Sequence, residues 1–179
     1  ASTARFLMRH VYGVIAFSML AFFAITMLIA RSQSVWFDEA YSLHLARESL
    51  GQLMHFTVVD VHPPLYYLAL KGWMGIFGQS DFAFRSLSAV CGALSIGVAL
   101  LLAKKMFSAR MAVAAAPFMI LSPYLLRHAF EVRMYALASL IGIAATYALV
   151  SAMRATGKTQ IWWWVAYAVL VAAGVYTLY

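Results

Sequence analysis

The chain has 179 residues, of which 65% are apolar or aromatic and 11% are charged, with a mean hydropathy of +0.84. Soluble domains are roughly 45–50% apolar and about 25% charged, so the composition excludes a soluble enzyme, a disordered chain and a disulfide scaffold. The single cysteine, Cys91, cannot form an internal disulfide. The net charge of +7 sits beside membrane-length apolar runs, so it predicts membrane topology and no nucleic-acid partner.

The apolar runs predict five transmembrane helices, because a bilayer core needs about 20 apolar residues in a helix. The first run, Val11–Ala30, is longer than the roughly 7–15 residues of a signal-peptide core and no A-x-A site follows it, which indicates a retained span. The third run contains Pro117 and is short, so it can span if it is tilted, kinked or extended. The predicted spans are residues 11–30, 86–103, 111–126, 134–153 and 161–179.

Residues 63–77 are also apolar, but the segment is short and carries Lys71. If this segment lies on the membrane surface, all six acidic residues fall on one side and a group of purely basic residues falls on the other. The positive-inside rule therefore favours five spans with the N-terminus in the cytoplasm. The basic residues of the inner side are Arg5, Arg9, Lys104, Lys105, Arg110, Arg154 and Lys158.

This topology leaves one long outer loop, residues 31–85. Its residues 40–56 place Leu43, Ala46, Leu50 and Leu53 on one face, which predicts an amphipathic helix in the membrane plane. Its second half, opened by two prolines, predicts another interfacial helix. The expected fold class is an all-α membrane protein of about five transmembrane helices, with amphipathic interfacial helices in the outer loop.

Three clusters of polar and aromatic residues fall on the predicted outer side: residues 36–41, 60–67 and 127–135. Charged groups beside an apolar interface are costly, so they are hypotheses of function. Structural alternatives exist for the acids. Asp38 could only cap a helix, Glu39 could be a first-turn acid favoured by the helix dipole, and Asp60-x-His62 is a weak metal signal that needs further ligands.

The aromatic and basic residues of these clusters have structural alternatives as well. Aromatic side chains at this depth are typical of an interfacial belt, as for Trp36, Tyr66, Tyr67 and Trp73. Two arginines could simply pair with Glu131 or with lipid head groups; they are Arg127 and Arg133.

Four motifs occur in a fixed order along the chain: DE at Asp38-Glu39, D-x-H-P-P-L-Y-Y from Asp60, R-S-L-S-A-x-x-G from Arg85, and E-x-R-M-Y-A from Glu131. This order resembles the GT-C membrane glycosyltransferases, above all the bacterial branch related to protein O-mannosyltransferases and to the lipid A aminoarabinose transferase. The resemblance extends from Arg5 to about residue 153. The family's HPPLGK reads HPPLYY here, so nearby contacts need not carry over.

The resemblance implies that Asp38 is the catalytic base, with Glu39 beside it in the catalytic pair. The HPPL stretch lines the active site in that family, and the arginine that suits the donor phosphate matches Arg133. Arg127 is a weaker candidate for the same role. The expected substrate-binding residues are Asp60, His62, Arg127, Arg133 and Tyr135. No cofactor is firmly expected, although a divalent cation remains an open alternative.

The implied reaction moves a sugar from a polyprenyl-phosphate donor to an extracytoplasmic acceptor, with inversion. The acceptor is expected to be a cell-envelope glycan, lipid or protein, and the location a bacterial plasma membrane. Because family members are longer, residues 1–179 are expected to be the N-terminal part of one transmembrane glycosyltransferase domain. The alternative is a transporter or a non-catalytic membrane subunit, although transport sites lie near the bilayer midplane and the acids here gather at the outer edge.

Overall fold

The computed structural model describes residues 2–59 and 62–178, and the side chains within those ranges from residue 10 onward. The described part is all α-helical, which confirms the predicted fold class. Its helices are α1 Ser2–Ala30, α2 Phe37–Arg47, α3 Leu50–Val59, α4 Leu65–Phe77, α5 Asp81–Met106, α6 Ala109–Ile120, α7 Pro123–Phe130, α8 Tyr135–Arg154 and α9 Gly157–Val175.

Three of the described helices are long and apolar enough to cross a membrane, namely the His10–Ala30 part of α1, α5 and α8. A fourth span results if α6 and α7 count together, although the two helices meet at an angle of 62°. Compared with the predicted span 86–103, α5 begins five residues earlier, because Ser80 caps it by accepting a hydrogen bond from the Ala83 amide. The chain is a multi-pass membrane protein.

The predicted span 111–126 is broken rather than continuous. The break falls at Leu121–Ser122 and not at Pro117, which lies inside α6. Pro123 disfavours helical geometry at Ser122, and the Ser122 hydroxyl accepts from the Leu125 amide to start α7. Helix α6 begins beside the end of α5. At the end of α7, the Phe130 carbonyl accepts a hydrogen bond from Arg85 near the start of α5. Together, α6 and α7 therefore run along the whole length of α5. This geometry is that of a broken span.

The fifth predicted span, residues 161–179, coincides largely with α9. This helix begins with the polar residues Gly157–Gln160 and is not among the helices that meet the length and composition required of a span. At its far end, the Tyr176 carbonyl accepts from the Leu65 amide at the start of α4. With 19 residues and a length of about 28 Å, α9 nevertheless extends from the end of α8 to the start of α4.

The continuous amphipathic helix predicted for residues 40–56 is wrong. Ser49 and Gln52 form a capping box, in which the Gln52 amide donates to the Ser49 hydroxyl and the Ser49 amide donates to the Gln52 side chain. This box starts α3 and separates it from α2. Of the four residues predicted to share a face, Leu50 is 60% exposed, while Leu43, Ala46 and Leu53 are buried in one cluster with α4. The apolar faces of α2 and α3 therefore pack on protein.

The interfacial belt predicted to include Tyr66 and Tyr67 is also corrected, since each of these tyrosines is only 1% exposed. They lie on the face of α4 that packs against α2 and α5. The indole N–H of Trp73 donates to the Ala83 carbonyl and to the Ser86 hydroxyl, and so joins α4 to the first turns of α5. Because its apolar face is buried against α2 and α5, α4 packs on protein although its sequence is apolar.

Basic side chains collect where α5, α8 and α9 meet, at the opposite end of the bundle. The ammonium group of Lys105 lies 4.6 Å from the centroid of the Tyr147 ring and 5.4 Å from that of Trp163. Arg154 donates to the Lys105 carbonyl. The described acidic residues lie in or directly after α2, in the first turn of α5 and after α7, so the two ends of the bundle differ in charge as the sequence predicts.

Candidate active site

The N-terminus of α2 carries two adjacent carboxylates that point in different directions, because consecutive side chains on a helix diverge by about 100°. The N-cap residue is Trp36, and its backbone amide donates to the Glu39 carboxylate at 3.3 Å. Asp38 is therefore not the N-cap, and the capping contact belongs to Glu39. Both acids lie in the first helical turn, where the helix dipole favours negative charge.

Asp38 lies opposite Arg133, which belongs to the short connection between α7 and α8. A guanidinium nitrogen (Nη1) of Arg133 is 3.4 Å from a carboxylate oxygen (Oδ2) of Asp38. The Asp38 side chain is 36% exposed, whereas that of Arg133 is 7% exposed. A carboxylate that solvent can reach thus faces an arginine that is held in place by its surroundings.

Tyr135 completes this cluster. The centroid of its ring lies 5.7 Å from the guanidinium carbon of Arg133. Burial alone would lower the pKa of Arg133, but a hydrogen bond to the Tyr135 side chain and the negative charge of Asp38 outweigh it, so the pKa is raised. The structure therefore brings together three of the predicted site residues, Asp38, Arg133 and Tyr135, and the Arg133 guanidinium group stays charged. Burial raises the pKa of the nearby Tyr66 phenol, which keeps that group protonated.

Glu39 points away from this cluster into the protein and is 1% exposed. Its two carboxylate oxygens each accept from Arg85 at 3.1 Å, in a bidentate pair. The oxygen Oε1 also accepts from the Val132 amide at 2.8 Å. Since these contacts occupy both oxygens, the geometry gives Glu39 a structural role, and its catalytic role remains a prediction.

Arg85 is the functional candidate that sequence reasoning missed. It is 3% exposed and, besides Glu39, donates to the carbonyls of Gln33, Ser34 and Phe130 at 3.4, 3.3 and 3.0 Å. A signal was present, because an arginine that opens a long apolar span is costly unless it is paired. Arg85 also begins the R-S-L-S-A-x-x-G motif.

The glycine that ends this motif, Gly92, has a packing role. A Cβ atom there would lie 2.8 Å from the Cβ of Ala129 on α7 and 2.8 Å from the Phe22 ring on α1. Only glycine permits so close an approach without a shift. The motif thus fixes α7 against α5 twice, by the Arg85 contact to Phe130 and by the space that Gly92 leaves.

Glu131 does not pair with Arg133. Its buried carboxylate lies 3.2 Å from Arg127 and 3.4 Å from His128, both in the last turn of α7. The Arg127 side chain is 71% exposed. Of the two arginines predicted near Glu131, the structure thus pairs Arg127 with it and assigns Arg133 to Asp38.

The remaining site predictions concern residues before α4. Asp60 lies outside the described residues. His62 is half-buried and precedes α4, whose Tyr67 is close enough to Arg133 to influence its pKa. Among residues 2–59 and 62–178, no group of three or more histidine, cysteine or acidic side chains could hold a metal ion.

Comparison with known proteins gives one match. Residues 61–179, about two thirds of the chain, match the family of dolichyl-phosphate-mannose-protein mannosyltransferases. The matched part includes Arg85 and Arg133 but not Asp38. No curated protein and no solved structure matches the chain significantly. The chain belongs to the dolichyl-phosphate-mannose-protein mannosyltransferase family, whose members are membrane glycosyltransferases of the GT-C type.

Proposed function

We propose that this protein transfers a sugar from a polyprenyl-phosphate donor to an extracytoplasmic acceptor, with Asp38 as the general base and Arg133 as the phosphate ligand. The observation that carries the proposal is the 3.4 Å contact between these two side chains in a member of a glycosyltransferase family. The contact places a proton acceptor beside a cation. These are the two groups that transfer from a phosphate leaving group requires.

In the proposed reaction, Asp38 takes the proton of an acceptor hydroxyl while that oxygen attacks the anomeric carbon of the sugar. The bond from this carbon to the phosphate oxygen breaks, so polyprenyl phosphate leaves and the configuration inverts. Arg133 stabilises the charge that develops on the phosphate. No general acid is needed, because a phosphate already leaves as a stable anion.

The Nε donor of Arg133 supports its role toward phosphate. This nitrogen is buried and has no hydrogen-bond partner among the residues that the structure describes. An unmet buried donor is costly, and a phosphate oxygen would satisfy it. When phosphate binds, it competes with Asp38 for the guanidinium group, and this frees the carboxylate to accept a proton.

The form of the bundle beside the site suits a lipid-linked donor. An apolar cavity of about 180 Å³ lies between α1, α5, α6, α7 and α8, and His128 lines it. The His128 ring is 5.0 Å from the ring of Tyr135, which contacts Arg133. We propose that the first units of the polyprenyl chain occupy this cavity while the phosphate lies at Arg133.

The transfer itself tests the proposal. Purified full-length protein should release radiolabelled sugar from a polyprenyl-phosphate donor when a cell-envelope extract supplies glycan, lipid or protein acceptors. The product shows which acceptor class is used and whether the configuration inverts. Protein that binds the donor but never releases sugar would instead be a non-catalytic subunit or a transporter.

We further propose that the acidic end of the bundle faces outward from a bacterial plasma membrane and that the N-terminus is cytoplasmic. Single cysteines at the exposed positions Gln79 and Thr156, in a Cys91→Ala background, should react differently with a membrane-impermeant thiol reagent on intact cells. Gln79→Cys should be labelled and Thr156→Cys should be labelled only after lysis. The reverse pattern would place Asp38 in the cytoplasm and refute the orientation.

A further inference from the structure

We propose that the buried Glu39–Arg85 ion pair is a positioning device that sets the distance between Asp38 and Arg133, and so controls turnover rather than donor binding. The inference rests on the proposed function, since it takes Asp38 as the base and Arg133 as the phosphate ligand. Glu39 and Arg85 are 1% and 3% exposed, so neither side chain can contact a substrate. Both are positioning residues rather than catalytic ones.

The connectivity of the pair is the first argument. Glu39 directly follows Asp38, and its Oε1 accepts from the amide of Val132, which directly precedes Arg133. The same oxygen accepts from Arg85 Nη1. One carboxylate oxygen therefore joins the segment that carries the base to the segment that carries the phosphate ligand, and each of the two joined residues is the direct neighbour of a functional residue.

The second argument is what Arg85 adds. It belongs to α5, which with 26 residues is the longest of the three described candidate spans and provides a rigid reference point. Its Nη2 donates to the carbonyls of Gln33 and Ser34, just before α2, and its Nη1 donates to the carbonyl of Phe130, at the end of α7. Arg85 thus holds both the segment that precedes Asp38 and the segment that precedes Arg133.

A planar guanidinium group is required for this arrangement, because a lysine ammonium cannot make a bidentate contact and reach three carbonyls at the same time. A displacement of about 1 Å at a reacting group can cost about 100-fold in rate. Loss of the bidentate contact between Arg85 and Glu39 should therefore lower the rate of transfer, while Arg133 can still bind the donor phosphate.

The test uses two variants that keep the charge, Arg85→Lys and Glu39→Asp, in the full-length protein. Each should lower kcat by about tenfold to a hundredfold per folded molecule, with little change in the KM for the polyprenyl-phosphate donor. Hydrogen–deuterium exchange should become faster in residues 33–39 and 130–134, because the Val132 amide loses part of its protection.

The matched control is Lys71→Gln. Lys71 also joins α4 to α2 through partly buried contacts, since its ammonium group donates to the carbonyls of Ala46 and Glu48 at the other end of α2. This variant should lose some thermal stability but keep its kcat per folded molecule, and exchange in residues 130–134 should stay unchanged.

The outcomes separate the inference from the proposed function. If Asp38→Asn is inactive while Arg85→Lys and Glu39→Asp keep the full kcat, or change only protein yield and melting temperature, the pair is merely structural and the inference is overturned. Unchanged exchange in residues 130–134 would overturn it as well. Normal turnover of Asp38→Asn would refute the proposed base itself, and the positioning role would fail with it.

Discussion

Asp38 and Glu39 are neighbours in the sequence with the same charge, yet the fold places them in opposite environments. The Asp38 carboxylate is 36% exposed and has a single arginine at 3.4 Å, whereas the Glu39 carboxylate is 1% exposed and accepts from Arg85, Val132 and Trp36. A base needs a lone pair that can reach a substrate, and a structural acid needs its lone pairs occupied. Under the proposed roles, two adjacent residues thus supply a reactive carboxylate and a structural one.

The difference shows how a membrane-edge site can hold several charges. Burial of an ion pair is tolerated when the geometry is bidentate and further hydrogen bonds are made, as they are by both terminal nitrogens of Arg85. The Asp38–Arg133 contact is incomplete, because Nε of Arg133 has no hydrogen-bond partner in the described part of the chain. The Glu39–Arg85 pair can therefore hold the site in place, and the Asp38–Arg133 pair, through this Nε donor, can bind a ligand.

Asp38→Asn is expected to have the largest effect on activity and little effect on folding. The amide keeps the shape of the side chain but cannot take a proton, so turnover should fall by about 10²–10⁴-fold. The melting temperature should hardly move, because the group is half-buried and makes one ion pair. Sugar release from a radiolabelled donor and thermal unfolding in detergent are the measurements. Near-normal turnover would show that the two acids do not divide the roles as proposed.

Glu39→Gln should show the reverse pattern, with folding affected first. Removal of one partner leaves the buried Arg85 charge uncompensated, which should cost about 3–5 kcal/mol of stability. A much lower melting temperature and a low yield of folded protein are expected. A variant as stable as wild type would contradict the expected cost of the uncompensated Arg85 charge.

Substitution of Arg133 tests the other side of the comparison. Arg133→Lys keeps the charge but loses the planar fork, so donor use should weaken clearly, and Arg133→Ala should weaken it further. Loss of a charge-assisted contact should cost about 1.5–3 kcal/mol, or about 10–150-fold in donor kcat/KM. Acceptor affinity, measured in parallel, should change far less. Destabilised Arg133→Ala protein with intact donor kinetics would make Arg133 structural.

Arg127→Gln should have the smallest effect. The Arg127 side chain is 71% exposed, so solvent screens its contact with the buried Glu131 carboxylate, and His128 remains beside that carboxylate when Arg127 is replaced. Donor kinetics and melting temperature should both stay close to wild type. A loss of donor use as large as that of Arg133→Lys would move the phosphate site from Arg133 toward Arg127.

The sequence by itself determined the class of the protein and the distribution of its charges. Apolar runs of membrane length form a local signal, and they predicted α1, α5 and α8 as spans. The order of the DE, HPP and R-M-Y motifs predicted the family that residues 61–179 match. Composition and motifs are properties of the chain alone, so no packing was needed to read them.

Local motifs that break a helix were harder to predict than apolar spans, because they compete with the hydrophobic periodicity of the sequence around them. The Ser49-x-x-Gln52 capping box divides the predicted helix 40–56, and Ser122-Pro123 breaks the third span. Both motifs are visible in the sequence, but hydrophobic period alone favours continuous helices. The burial of Tyr66 and Tyr67 could not be read in the same way, because an aromatic residue suits a membrane interface and a protein core equally well.

Only the tertiary structure decided which charges meet. Glu39 and Arg85 are 46 residues apart, and Glu39 and Val132 are 93 residues apart. Hydrophobic period fixes which face of a helix is apolar, but not which residues of another helix lie opposite it. The separate roles of Asp38 and Glu39 depend on how α5 and the α7–α8 connection pack around the start of α2. Physically, that packing depends on distant side chains, among them the space that Gly92 leaves for Ala129.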